Sequence, residues 1–140
     1  MAHGAARVLV PVPLRENLKG KQMRILETLG AQGEIRMFRI DAVPASAKTF
    51  DKEHGQYIIG HSETGHHHVL VAERVQVFAD AEAPAGMRVL YAILETAGSL
   101  NHQRGHDTHA PHEFAAGDVI MFRTDREYDP YADLARAVAD

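Results

Sequence analysis

Residues 87–94, Met-Arg-Val-Leu-Tyr-Ala-Ile-Leu, put Met87, Val89, Tyr91 and Ile93 on one face of an extended segment and Arg88, Leu90, Ala92 and Leu94 on the other. Both faces are largely apolar. A strand of this kind needs cover on two sides, which places it in the middle of a sheet rather than at an edge. It therefore constrains the rest of the chain: whatever surrounds it must supply neighbouring strands and packing layers.

The remaining segments read as short strands with Gly and Pro punctuation. Candidates are 34–40, 56–60, 66–72, 74–78 and 118–123, with no long amphipathic helix between them. Residues 22–29 fit a strand or a short helix, because eight residues do not separate the two periods. The expected class is mainly β: a small antiparallel barrel or sandwich, cupin-like or jelly-roll-like in outline. One short C-terminal helix is expected over 127–140, capped by Asp129, with Pro130 at its first position and Tyr131, Leu134 and Val138 in a stripe. Arg126, Glu127 and Tyr128 should clamp that helix to the last strand. The expected division is an N-terminal arm over 1–31, a β-barrel core over 32–126 and the helix. In the arm, Val8, Leu9, Val10 and Val12 are interrupted by Pro11 and flanked by Pro13, which favours an edge or an intermolecular contact over a central strand.

A chain of 140 residues fits one domain with a real core. No apolar run approaches the roughly 18 residues of a membrane span, and the start of the chain does not read as a secretory signal. Net charge is −4 with scattered Lys and Arg, which argues against nucleic acid as the main partner. The chain has no cysteine, so disulfides, thiolate catalysis and Cys-based metal sites are excluded. A metal would have to be held by His, Asp, Glu or backbone oxygen.

That directs attention to histidine. Eight of the ten fall in two short windows: His61, His66, His67 and His68, then His102, His106, His109 and His112. On a strand, His66 and His68 share a face while His67 points the other way. In the second window, His106 and His109 have a spacing that a turn can converge on one point. The expected ligand set for a divalent metal ion is therefore His66, His68, His106 and His109, with Gly60, Gly65 and Gly105 allowing close backbone approach. The competing expectation is a polar network without metal, built with Asp107, Glu113 or Glu63. His3 and His54 are expected to be exposed.

Two resemblances bear on these residues. Gly60, His66, His68 and Glu73 stand at the spacing of the first cupin motif, whereas Asp80 replaces its later glycine. Gly105 and Pro111 resemble the start of the second motif, which Glu113 and Ala116 then depart from. From about Gln32 to Asp140 the chain also resembles a group of uncharacterised small proteins of tailed bacteriophages and prophages. That likeness is carried by Gln32-Gly33-Glu34, Thr64-Gly65-His66-His67-His68, His106-Asp107-Thr108-His109, Gly117 and Arg126-Glu127-Tyr128-Asp129-Pro130.

The phage resemblance implies phage origin, and together with the N-terminal arm it supports the expectation of a non-enzymatic, virion-associated protein, capsid-decorating or head-tail accessory, found in the host cytoplasm before assembly. Its expected partners are further copies of itself or other virion proteins. The cupin resemblance implies the alternative, a divalent-metal-dependent enzyme acting on a small molecule, with Glu63 or Glu113 as proton-transfer groups and Glu73 as a further ligand.

Overall fold

A computed structural model describes residues 23–61, 66–103 and 110–125, together with the backbone of the two-residue strand at 14–15. Described residues are mainly β, in twelve strands. In chain order these are β1 Leu14–Arg15, β2 Ile25–Gln32, β3 Ile35–Ile40, β4 Val43–Pro44, β5 Lys48–Thr49 and β6 Tyr57–Gly60, then β7 His68–Ala72, β8 Val75–Ala79, β9 Arg88–Leu94, β10 Gly98–His102, β11 His112–Phe114 and β12 Val119–Thr124. Six of them form one sheet in the order β2-β3-β12-β9-β8-β5 and four form another in the order β11-β10-β7-β6. Every pairing within these two sheets is antiparallel.

The position of β9 follows from its composition. It lies between β12 and β8 and is buried along almost its whole length, as a strand with two apolar faces requires. Leu90, Ala92 and Leu94 face an inner core shared with Ile59, Leu70, Leu100 and Phe114 of the four-stranded sheet. Val89, Tyr91 and Ile93 face a second cluster with Phe38, Val119 and Met121. Two cores on opposite sides of one sheet explain why this segment carries no polar face.

Among the described residues no pairing closes either sheet, so the barrel form of the expectation is replaced by two open antiparallel sheets about a shared inner core. The ambiguous stretch at 22–29 resolves as strand β2, paired along β3 with two register shifts. β2 runs across the 31/32 boundary expected between arm and core. Further upstream, Leu14–Arg15 pairs in parallel with Val43–Pro44 of the same chain. The helix expected over 127–140 and the clamp at Arg126, Glu127 and Tyr128 lie outside the described residues.

Phe122 is fully buried in the inner core and packs edge-on against Phe114 across the two sheets, with ring centroids 5.8 Å apart. Truncation leaves a cavity that a closely packed interior does not refill. Phe122→Ala should therefore cost about 3–5 kcal/mol in urea unfolding, whereas Val71→Thr at an exposed position should stay within about 0.5 kcal/mol of the parent.

Candidate functional site: a histidine row at one end of the inner core

Side-chain alternation along the four-stranded sheet brings three histidines to the same face. Leu70, Leu100 and Phe114 belong to the inner core, and His68, His102 and His112 each stand two residues from one of them. The apolar inner face of β7, β10 and β11 thus ends in imidazoles. His68 lies directly opposite His102 in the β7–β10 register, and His112 opposite Leu100 in the β10–β11 register. The rings of His68 and His102 stack, with centroids 4.2 Å apart and planes 7° from parallel.

From the other sheet, the end of β2 closes over this row. Gln32, 5% exposed, accepts a hydrogen bond at Oε1 from Nδ1 of His68 at 2.7 Å. Its Nε2 donates to the carbonyl of Leu100 at 2.9 Å. The next residue, Gly33, has a left-handed φ of 60°, and a Cβ there would stand 3.2 Å from Nε2 of His68. A Cβ at Gly60 would meet the Ile35 side chain at 2.7 Å and Cδ2 of His68 at 3.4 Å. His68 is thus held between two glycines, a glutamine and a second imidazole.

A further imidazole cluster lies at the start of β7, next to this row. His61 receives a hydrogen bond at Nδ1 from the Arg88 guanidinium at 3.3 Å. A guanidinium only donates, so the proton of neutral His61 sits on Nε2, which donates to both carboxylate oxygens of Glu53 at 3.1 and 3.2 Å. That hydrogen bond, and then the histidine's charge when protonated, holds the Glu53 carboxyl below its ordinary value. The Arg88 guanidinium lies over the Phe50 ring at 5.1 Å, and His61 meets His67 edge-on at 5.1 Å.

The expected ligands fare unevenly. His68 is in the row. His66 precedes β7, which begins at His68, so the period-2 argument does not extend to it. His106 and His109 lie outside the described residues, as do Glu63, Gly65 and Gly105. The described flanks of the two windows are adjacent: His102 pairs with His68, and the amide of Gln103 donates to the carbonyl of His67 at 2.8 Å. Glu73 follows the far end of β7, five residues and about 16 Å of strand from His68, which removes it from the ligand set. Glu113 is exposed and alternates with His112 and Phe114, which share the inner face. His54 is exposed, as expected.

The donor set bears on what the row can hold. An imidazole lone pair lies in its ring plane, so the nearly parallel rings of His68 and His102 do not aim two lone pairs at one ion. Among the described residues no three His, Asp or Glu side chains form a group able to hold a metal. Within the row, His68 has its Nδ1 committed to the hydrogen bond with Gln32. A cavity of about 240 Å³ opens beside it, lined by Ala31, Gln32, Gly33, Ala110, Pro111 and His112.

Gln32, His102 and His112 are absent from the ligand set expected from sequence, although both histidines belong to its second window. The usable signal was parity: His102 and His112 stand two residues from Leu100 and Phe114, but β10 and β11 were not recognised as strands.

A family model described as Domain of unknown function (DUF8820) matches residues 31–125. No curated protein and no solved structure matches the chain.

The two glycine turns at Gly33 and Gly55 separate backbone strain from contact with His68. Both have positive φ, but a Cβ at Gly55 meets nothing within 4 Å. Gly55→Ala should cost about 1 kcal/mol for its conformation alone. Gly33→Ala should cost clearly more in the same urea titration, because His68 must also shift; equal costs would show that the contact is slack.

Proposed function

This chain belongs to the DUF8820 family of unknown function, and we propose that it is a non-enzymatic, virion-associated accessory protein, capsid-decorating or at a head-tail joint, whose histidine site is a divalent-ion staple. The observation that carries the assembly role is the β2 edge. β2 is the outermost strand of the six-stranded sheet, and Ile25 and Leu26 on it are 49% and 43% exposed. An edge strand with exposed apolar side chains is a template for pairing with another chain, and soluble proteins usually blunt such edges with charge or cover them. Residues 25–30 also precede the stretch matched by the family model.

The phage resemblance of residues 32–140 supports the virion setting, with the host cytoplasm as the place of residence before assembly. The staple rests on His66, His68, His106 and His109, whose two windows have adjacent described flanks. An ion bound only by the folded chain adds to its stability, which suits a thin domain without disulfides.

A second reading, a cupin-like metal-dependent enzyme with a small substrate, is favoured by the cavity beside Gln32 and His112. At about 240 Å³ it falls below the usual 300–1,000 Å³ of ligand pockets, which limits it to a small metabolite.

Sedimentation of the full chain, alone and with purified phage particles, separates the two. The assembly reading predicts self-association or particle binding that falls at least tenfold in the Ile25→Lys, Leu26→Lys double variant, with unfolding free energy changed by less than about 1 kcal/mol. A chain that stays monomeric at all concentrations and ignores particles overturns it.

A further inference from the structure

We infer that Arg36 and Arg123 form a receptor for a carboxylate side chain on an acidic segment of a partner protein. The inference rests on the assembly reading for the existence of a partner and names what that partner presents. Arg36 on β3 stands directly opposite Arg123 on β12. Two like charges in that position repel, so the pair needs compensation. Asp125 supplies part of it: its Oδ2 accepts from Nη1 of Arg36 at 3.2 Å and its Oδ1 from Nε of Arg123 at 3.1 Å. Both guanidiniums also lie over the ring of Phe38, at 5.7 and 5.5 Å from its centroid. Two cations against one carboxylate leave one positive charge uncompensated.

That charge is accessible. Side-chain exposure is 50% for Arg36 and 29% for Arg123, and of the five N–H donors on each guanidinium, Asp125 takes one. Across the sheet the pair is flanked by Ala31 of β2 and Val89 of β9, neither of which carries charge. Ala31 is exposed and β2 is the edge strand, so the pair is reached from that edge over a single methyl group. A planar fork of donors suits bidentate binding of a carboxylate. A carboxylate also matches the charge, whereas a phosphate dianion would leave an excess negative charge next to Asp125. A nucleic acid needs a track of cations, and the same face continues as buried Phe38 and Ile40 on β3 and buried Met121 and Val119 on β12. The partner group is therefore an exposed Asp or Glu.

The test uses the 15N-labelled full chain and a blocked hexaglutamate peptide, with hexaglutamine, inorganic phosphate and a DNA duplex as comparisons at one ionic strength. Hexaglutamate should shift the Nε–Hε signals of Arg36 and Arg123, and hexaglutamine should not. The Arg36→Met, Arg123→Met double variant should weaken the peptide at least about tenfold, with the melting temperature held near the parent's, because methionine keeps apolar cover over Phe38. Asp125→Asn, which removes the competing carboxylate, should tighten the peptide about two- to fivefold. Hexaglutamate that binds no better than hexaglutamine, a double variant that binds it unchanged, or an Asp125→Asn chain that binds it no more tightly overturns the inference. Tighter binding of phosphate or DNA at the pair overturns the partner class. Should the double variant not fold, the wild-type shifts and Asp125→Asn decide. Sedimentation with phage particles reads the assembly separately. Association lost in the Ile25→Lys, Leu26→Lys variant but kept without the arginines overturns the inference and leaves the assembly reading. Glutamate binding at the pair in a chain that never associates overturns the assembly reading and leaves the carboxylate site.

Discussion

The Gln32 side chain joins the two sheets at the point where their shared core stops being apolar. It leaves the last residue of β2, in the six-stranded sheet, and reaches the β7 and β10 strands of the other sheet through His68 and Leu100. Burying an amide and an imidazole together would be costly if either were left without partners. Here the amide uses a donor and an acceptor in opposite directions, and the ring uses Nδ1. The polar end of the core is thus ordered by hydrogen-bond direction, where the rest is ordered by volume.

That arrangement divides the histidines by environment. His68 is buried and stacks on the half-buried His102, while His61 lies between Glu53 and Arg88. The inward pair is placed by strand parity from an apolar core, and His61 by hydrogen bonds to Glu53 and Arg88. The described ends of the two histidine windows meet because β7 and β10 are neighbours, with His68 opposite His102.

The central strand and most of its partners were legible in the sequence, since β9 carries two apolar faces and its neighbours β8 and β12 are short, mostly apolar runs. What escaped notice were β10 and β11. Their polar residues, Ser99, Asn101 and Glu113, broke the apolar pattern that marks a strand, although Leu100 and Phe114 hold the inner face. β2 was ambiguous because its first residues are exposed on both faces, leaving little period to read. The pairing of His66 with His68 failed as an argument because the strand begins only at His68. Gln32 was invisible for a different reason: its partners are 36 and 68 residues away, and no local spacing announces a contact of that range.

The claim on which this account turns is that Gln32 and His68 act as one unit. A double-mutant cycle with Gln32→Leu, His68→Leu and the double variant, measured by urea unfolding in the presence of a chelator, tests it without any bound ion. The account predicts that each single change costs about 1–3 kcal/mol, because it leaves a buried polar group unpaired. The double change should cost less than the sum by at least about 0.5 kcal/mol. Strict additivity would contradict it.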